Sequence, residues 1–296
     1  MSVVKDPKSP MYVPEENREI ARERARQHVD LISDYLAVKD TIPTGVTCSV
    51  QIGRKKKRVL KVLNATEQDW NDWKWQFNNF INDTATLSKI IHLSDQEIGD
   101  IEKTATQYRW QISPYYASLI DPDDRDCPIF RQSVPTIQEY LSKEEQEDHY
   151  AIVYNSPAPL ITRLYADRII INVTNICGSF CRHCLRKKDI AQKNMIYPKE
   201  DVQAAIDYVA ESPEIRDVLL TGGDALALPD SYIDWILTKL GNIPHIEITR
   251  LGSRMVATLP QRITPKLCEM LSHHKPVYLN TQFNHPKEIT PEVEAA

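Results

Sequence analysis

The spacing of apolar residues changes about halfway along the chain. In residues 15–36, apolar side chains such as Ile20 and Val29 recur every three or four positions with charges between them, which predicts an amphipathic helix. After Tyr165 the apolar residues form short continuous runs rich in β-branched side chains, which predict buried strands. The pattern therefore predicts a mainly helical front followed by a sheet.

Further along the front half, capping residues mark more helix starts. Thr66 stands three residues before Asp69, a pairing typical of a capped helix, and another helix is predicted to begin near Ser94. The basic run GRKKKRVLKVL (53–63) is interpreted as a solvated charged strand or loop. Prolines recur in residues 122–159, so that stretch is predicted to connect a helical amino-terminal region, residues 1–159, to the second half of the chain.

The second half alternates strands and helices. Strand-like runs occupy residues 168–174, 217–223, 246–254 and 276–283, and helical segments are predicted at 199–211, 230–240 and 264–274. This alternation predicts an α/β fold for residues 160–296, with a parallel sheet and right-handed crossovers. The polar residues of interest follow the strands, at the edge where such sheets build active sites.

Composition and charge exclude some classes of protein. The 296 residues carry a formal net charge of -5, with a pI of about 5.9, which argues against nucleic acid and membrane surfaces as partners. No signal peptide or membrane-spanning run is recognisable, so we expect a cytoplasmic protein whose thiols stay reduced. The isolated Cys48, Cys127 and Cys268 are interpreted as small buried residues.

Three cysteines lie within the eight residues CGSFCRHC: Cys177, Cys181 and Cys184. Structural zinc sites usually combine two separated pairs of ligands, and His183 between two of the thiols is a poor fourth ligand. A redox dithiol needs only two cysteines. Three thiolates directly after a strand best fit a [4Fe–4S] cluster that keeps one iron open. The cluster is therefore the favoured interpretation, with zinc as the alternative.

The CxxxCxxC spacing resembles the signature of the radical S-adenosylmethionine (radical SAM) enzymes. The surrounding segments YADRIIINVTNICGSFCRHCLRK, RDVLLTGGDAL, RLGSRMVATLPQRIT and LNTQFNHPKEIT resemble the lysine 2,3-aminomutase family more closely. In the front half, WNDWKWQ, ISPYYASLID and RQSVPT are also similar to that family. The resemblance covers roughly residues 66 to 292.

This resemblance implies a partial (β/α) barrel and three cofactors: a [4Fe–4S] cluster, S-adenosylmethionine and pyridoxal 5′-phosphate (PLP). In the family, the open iron binds S-adenosylmethionine, and one electron cleaves it to a 5′-deoxyadenosyl radical. That radical takes hydrogen from the substrate, while PLP holds the migrating amine. The implied reaction is an amino-acid 2,3-aminomutation, an isomerisation of lysine, glutamate or a related amino acid.

The resemblance also assigns residues to these groups. Gly222, Gly223 and Asp224 match a GGD segment that binds S-adenosylmethionine, where the glycines are expected to let backbone approach a ligand closely. His183 and Gln282 match positions near its adenosyl part.

Two further matches concern the substrate and PLP. Arg186 matches an arginine that grips the substrate carboxylate. Tyr165 and Arg168 match the PLP-binding segment that precedes the first strand.

Three departures from the family pattern predict a divergent branch. Leu164 stands where the family has an arginine before the tyrosine, and Arg163 comes one place earlier. Gln282 replaces a histidine. Where the family has TRRR after the cluster loop, this chain has Leu185, Arg186, Lys187 and Lys188.

The chain shows about four of the six strands of the family's barrel. The PLP-binding lysine is therefore expected beyond residue 296, no catalytic residue is assigned, and the chain is interpreted as an amino-terminal portion that is inactive alone. The expected partners are a small amino acid and an electron donor such as flavodoxin or ferredoxin. We expect the full-length protein to form a homo-oligomer.

Two alternatives stay open at this point. One is a radical SAM enzyme that modifies lysine without PLP. The other is a non-catalytic metal-binding fragment. PLP absorbance would separate the first from the aminomutase, and zinc without iron or sulfide would identify the second.

Overall fold

The computed structural model describes residues 14–142, 148, 150–187, 190, 193–274 and 276–296. Contacts between residues divide the chain into a first unit that ends at Pro43 and a second unit, Thr44–Ala296. Among the described residues, no helix is both long enough and apolar enough to cross a membrane.

The described part of the first unit, residues 14–43, contains the helices α1 (Glu15–Leu31) and α2 (Ser33–Val38), followed by a short 3₁₀ turn at Lys39–Thr41. The single helix predicted for residues 15–36 is thus interrupted at Ile32, whose φ of -108° and ψ of 10° are not helical. Both helices are described in full, and none of their side chains is buried; Ile20 is 57% exposed. The apolar spacing predicted the helix correctly but did not predict burial.

The front of the second unit is helical, as predicted. Its helices are α3 (Ser49–Val62), α4 (Glu67–Asn71), α5 (Trp73–Asn78), α6 (Thr84–Ile90), α7 (Asp95–Ala105), α8 (Pro114–Ala117), α9 (Pro128–Ser133), α10 (Ile137–Leu141) and α11 (Ile152–Asn155).

One prediction for this region is wrong, because the basic run at 53–63 lies in helix α3 and not in a strand or loop. Ile52, Val59 and Leu60 fall on one face of α3 and are buried, while its lysines and arginines are good helix formers.

The predicted capping residues are confirmed. Thr66 accepts from the amide of Asp69, and Ser94 accepts from that of Glu97, in capping boxes that start α4 and α7. The segment that begins at Thr66 is broken at Asp72, which has an extended backbone and caps α5 with its own side chain.

The second half forms a five-stranded sheet in the order β1 (Ile161–Thr162), β2 (Arg168–Thr174), β3 (Asp217–Gly222), β4 (Ile248–Gly252) and β5 (Val277–Asn280). The four strands β2 to β5 are parallel, as predicted. The short β1 pairs antiparallel with β2 and was not predicted. In the described residues the sheet is open, with β1 and β5 as its edges.

Helices connect the parallel strands at the predicted places. They are α12 (Lys199–Ala210) between β2 and β3, α13 (Asp230–Gly241) between β3 and β4, and α14 (Met255–Thr258) with α15 (Pro265–Ser272) between β4 and β5; α16 (Pro291–Ala295) lies after β5. One face of the sheet is buried against this layer through residues such as Ile171, Val218 and Leu251. Deleting one such side chain to alanine costs about 2–5 kcal/mol.

The opposite face of the sheet is open and carries polar residues. Because side chains alternate along a strand, Arg168 and Asn172 of β2 share this face. Thr221 of β3 pairs with Asn172 in the sheet register and lies next to it on the same face. Arg250 of β4 continues the face toward Tyr278 of β5. The fold therefore presents a polar surface that extends up to the carboxyl edge of the sheet.

Two apolar cores support the second unit, one formed by residues between Ile52 and Val134 with Val293, and one formed by the sheet and its helices. The domain boundary predicted near residue 159 stays a prediction. Of the isolated cysteines, Cys127 is buried as expected, Cys48 is half-buried and Cys268 is exposed, so the prediction is wrong for Cys268.

A fully buried arginine, Arg262, joins several elements of the second unit. Its guanidinium donates to the carbonyls of Leu226 and Leu228, at 2.8 and 3.0 Å, and to a carboxylate oxygen of Asp230, at 2.7 Å. It also lies 4.5 Å from the ring centre of Trp73. One charge thus connects the loop after β3, the start of α13 and helix α5.

We predict that Arg262→Met lowers the free energy of unfolding by about 3 kcal/mol, since it leaves buried acceptors without a donor. Urea unfolding followed by circular dichroism measures the change. Arg216→Met is the matched control: Arg216 is partly exposed and pairs with Asp167 and Glu247, and because exposed ion pairs contribute little to stability, its loss is expected to change the free energy of unfolding far less than Arg262→Met does. Equal losses in the two variants would contradict this role for Arg262.

Candidate active site

The three clustered cysteines lie on the loop after β2, at the carboxyl edge of the sheet. Cys177, Cys181 and Cys184 are half-buried, unpaired thiols that line one cavity of about 630 Å³. The same cavity is lined by residues that come after β3, β4 and β5. The residues that follow the parallel strands thus meet around the cysteines at the carboxyl edge of the sheet, and the predicted role of this edge as an active site stays a prediction.

Side chains of the helical front hold the cysteine loop. The side-chain amide of Gln111 donates to the backbone carbonyl of Cys177 at 2.7 Å. The backbone carbonyl of Gln111 accepts from the amide of Phe180 at 3.0 Å. Arg182, inside the cysteine motif, forms a two-pronged buried ion pair with Glu139, at 3.0 and 2.7 Å. The loop is therefore fixed by contacts that residues 177–184 alone do not reveal.

The two glycines after β3 meet the cysteine loop itself. Gly222 has a φ of +109°, and a Cβ at this position would overlap the carbonyl oxygen of Thr174. A Cβ at Gly223 would lie 2.6 Å from the amide nitrogen of Ile176. The two glycines therefore let the end of β3 approach the loop after β2 closely, and their predicted contact with S-adenosylmethionine stays a prediction.

The carboxylate of Asp224 is held by backbone. One oxygen accepts from the amide of Leu226 at 3.0 Å, and the other accepts from the amide of Arg254 at 2.8 Å. Burial raises the pKa of Asp224, while hydrogen bonds, first from Ser253, partly lower it. Asp224 lines the cavity, and its predicted contact with S-adenosylmethionine stays a prediction.

Arg254, just after β4, contacts a cysteine and was not predicted as a site residue. Its guanidinium lies 2.6 Å from the sulfur of Cys181 and donates to Glu288 at 2.8 Å. Glu288 is fully buried and also accepts from the hydroxyl of Tyr116 at 2.6 Å. All three residues stand in segments quoted for the family resemblance, RLGSRMVATLPQRIT, LNTQFNHPKEIT and ISPYYASLID, but the sequence interpretation assigned none of them to the site.

The predicted adenosyl-site residues His183 and Gln282 are brought together by Asn284. The side chain of Gln282 donates to Asn284 at 3.1 Å, and Asn284 lies 3.3 Å from Nε2 of His183. Both predicted residues line the cysteine cavity and also an adjoining cavity of about 420 Å³.

Arg186 lies beside the cysteines and extends over the open face of the sheet. Its guanidinium donates to Asn172 of β2 at 3.0 Å and to Thr221 of β3 at 3.1 Å. Since a guanidinium carries five N–H donors, these two bonds leave donors for a ligand carboxylate. The position agrees with a substrate-binding role, which stays a prediction.

Tyr165 and Arg168 lie at the opposite end of β2 from the cysteines. They line a separate pocket of about 220 Å³ together with Leu164 and Arg250. Arg163 does not replace the missing arginine there, because its guanidinium bonds to Tyr208, Glu214 and the carbonyl of Ala166. The second cation of this pocket is Arg250, which the sequence interpretation missed.

The electrostatics of the cavity disfavour free thiolates. Burial raises the pKa of Cys177 well above its usual range, and Asp224 and the two neighbouring thiols add to this effect. Burial also raises the pKa of Cys181, although Arg254 offsets part of it. Metal ligation would deprotonate such thiols outright, so the site suits a metal group better than free thiolates.

No group of three or more His, Cys, Asp or Glu side chains, within the described residues, is arranged to hold a single metal ion. A [4Fe–4S] cluster places each thiolate on a different iron, so it does not require the three sulfurs to converge on one centre. Three thiols around one cavity, with a donor at Cys181, fit such a cluster.

Comparison with known proteins agrees with this geometry. Residues 171–293 match the model of the radical SAM superfamily. The match begins within β2 and includes the cysteine loop and all the later strands.

Three named relatives extend the match into the helical front. Glutamate 2,3-aminomutase of Clostridioides difficile (strain 630) is 49% identical over 281 residues, which cover 95% of this chain and 67% of the relative. L-lysine 2,3-aminomutases of Clostridium subterminale and Bacillus subtilis (strain 168) are 44% and 43% identical, over 77% and 81% of this chain. The chain spans 55% and 52% of the length of these two lysine enzymes.

A parallel α/β sheet with CxxxCxxC on the loop after its first parallel strand defines a radical SAM protein. The chain belongs to the radical SAM family that contains the lysine and glutamate 2,3-aminomutases, which are isomerases. Membership implies a [4Fe–4S] cluster and S-adenosylmethionine.

We predict that Gly223→Ala lowers the free energy of unfolding by at least about 2 kcal/mol, because the new methyl group collides with backbone that cannot move without shifting the cysteine loop. Urea unfolding measures the loss. Gly99→Ala is the control: Gly99 is exposed within α7 with open space around it, and alanine there is expected to stabilise by about 0.5–1 kcal/mol. A neutral effect of Gly223→Ala would contradict the close approach.

Proposed function

We propose that this chain supplies the cluster-binding and S-adenosylmethionine-binding part of an amino-acid 2,3-aminomutase. The enzyme moves an amino group from the α to the β carbon of glutamate, lysine or a related amino acid. The observation that carries this proposal is that one cavity joins the three cysteines to Arg186, a cation able to bind an amino-acid carboxylate.

Each part of the cavity has a role in this proposal. Cys177, Cys181 and Cys184 ligate the cluster. S-adenosylmethionine lies between the GGD segment, residues 222–224, and the pair formed by His183 and Gln282. Arg186, oriented by its bonds to Asn172 and Thr221, holds the substrate carboxylate so that the reacting carbon faces the cluster.

The pocket at the far end of β2 fits the phosphate of PLP. Arg168 and Arg250 supply two guanidinium groups, and Tyr165 supplies a hydroxyl. Arg250 is paired with Asp217 at 2.8 Å and Arg168 with Asp167 at 3.1 Å, and both keep further N–H donors. Leu164 also lines this pocket, at a position where the family has an arginine. The loss of that cation favours the PLP-independent alternative, a radical SAM enzyme that modifies lysine.

When bound, the cluster and S-adenosylmethionine supply a radical that abstracts hydrogen, and PLP supplies an electron sink for the migrating amine. The protein's own residues bind and orient these groups. A one-electron donor of the flavodoxin or ferredoxin type completes the proposal, together with a cytoplasmic location and self-association of the full-length protein.

The proposal is tested on protein reconstituted anaerobically with iron and sulfide. We expect a [4Fe–4S] electron paramagnetic resonance signal after reduction with dithionite, and a change in its shape when S-adenosylmethionine is added. With PLP and ¹⁵N-labelled L-glutamate or L-lysine, the full-length protein should yield the corresponding β-amino acid.

Cys181→Ser is the control for this experiment and should remove the signal and the product together. Zinc without iron in the anaerobic protein would identify the metal-binding alternative instead. A cluster that responds to S-adenosylmethionine, in a full-length protein that forms no β-amino acid, would point to the lysine-modifying alternative.

The PLP pocket has its own test. We predict that Arg168→Met weakens PLP binding at least tenfold in equilibrium dialysis, because it removes one of two cations that face the pocket. Arg163→Met is the matched control and should leave binding unchanged, since its guanidinium bonds to Tyr208 and Glu214. Equal affinities in wild type and Arg168→Met would exclude this pocket as the phosphate site.

A further inference from the structure

An arginine–glutamate pair lies directly behind one of the cluster cysteines. The Arg254 side chain is 13% exposed, and its partner Glu288 is completely buried. A buried ion pair is costly to form unless other hydrogen bonds satisfy both groups. The hydrogen bonds around Arg254 and Glu288 therefore show which group the arginine is directed toward.

Contacts from three parts of the fold hold Arg254. Its backbone amide donates to Asp224 after β3, and its guanidinium donates to Glu288 in the segment after β5. The hydroxyl of Tyr116 and the side-chain oxygen of Gln132, both in the helical front, lie 3.4 and 3.2 Å from the same guanidinium nitrogen. This nitrogen, Nη2, is fully occupied by the scaffold.

The other terminal nitrogen of the guanidinium, Nη1, points to the cysteine loop, where it lies 2.6 Å from the sulfur of Cys181. Glu288 cannot turn away to reach the cluster site, because its second oxygen accepts from the amide of Asn284 at 2.7 Å. The scaffold thus presents one positively charged N–H donor to one cysteine sulfur.

Such a donor has a defined effect on an iron–sulfur cluster. Reduction from [4Fe–4S]²⁺ to [4Fe–4S]⁺ adds one electron, taken from a one-electron reductant, and one negative charge. A nearby cation and a hydrogen bond to a ligating sulfur stabilise the more negative state, which raises the reduction potential.

We propose that Arg254, positioned by Glu288 and Tyr116, raises the reduction potential of the cluster through its hydrogen bond to Cys181. Arg254 is a positioning and tuning residue, and it acts on the cluster through the cysteine. The inference rests on the proposed function in one respect, namely that the cysteine loop binds a [4Fe–4S] cluster.

The test is a potentiometric titration of the reconstituted chain, without S-adenosylmethionine, followed by electron paramagnetic resonance. At a fixed potential, Arg254→Met should lower the ratio of reduced to oxidised cluster at least tenfold, a shift of about 59 mV for a one-electron couple. Arg216→Met is the charge-matched control. Arg216 is a partly exposed cation at the amino end of β3, the opposite end of the sheet from the cysteines, and it pairs with Asp167 and Glu247, so its loss should shift the ratio less than twofold.

A second variant covers the case in which Arg254→Met leaves Glu288 buried without its partner and loses the fold. In the double variant Arg254→Met/Glu288→Gln, net charge is unchanged, and Tyr116 can still donate to the glutamine oxygen. This variant should also show the negative shift, because the donor to Cys181 is gone.

A wild-type potential in either variant that binds iron would overturn the inference. If both variants fold, as judged by circular dichroism, but bind no iron, the inference is also overturned. Arg254 would then have a role only in holding the loop. Absence of the cluster signal from the wild-type chain would instead contradict the proposed function, so the two failures are distinguishable.

Discussion

The close approach of two strand ends determines where the candidate site lies. The amide of Gly223 donates to the carbonyl of Thr174 at 2.5 Å, and the amide of Asp224 donates to that of Ile176 at 2.7 Å. These bonds tie the end of β3 to the start of the cysteine loop, and only glycine leaves room for them. The cavity, the orientation of Asp224 and the place of Arg254 all depend on this contact.

A second constraint is the burial of charge around the loop. Arg182, which lies in the loop, pairs with Glu139 of the helical front. Arg254, which contacts the loop at Cys181, pairs with Glu288 of the segment after β5. Two buried ion pairs therefore contact the loop. Buried pairs contribute less to stability than apolar packing does, but removing one partner is costly. Such pairs can therefore hold a loop in one geometry, which a site with three thiols on separate irons requires.

The open face of the sheet connects two chemically different ends. The cysteine cavity and Arg186 lie at the carboxyl end of β2, and the pocket of Arg168 and Arg250 lies at its amino end. The six residue steps from Arg168 to Thr174 span about 20 Å of strand. A substrate held between a cluster at one end and a phosphate-bearing group at the other would lie along this face, where Asn172 and Thr221 already orient Arg186.

The sequence by itself determined the parallel strands, the crossover helices, the cysteine loop and the family resemblance, because these depend on local periodicity and on residues close together in the chain. It did not determine that the basic run of α3 is helical, or that α1 and α2 leave their apolar side chains exposed, since burial depends on neighbours that periodicity does not identify. Only the tertiary structure decided that the glycines face the cysteine loop, that Arg250 and not Arg163 lines the second pocket, and that Arg254 reaches Cys181. The physical reason is that each of these contacts joins residues from different strands or loops, whose distance apart in space is set by packing and not by sequence spacing.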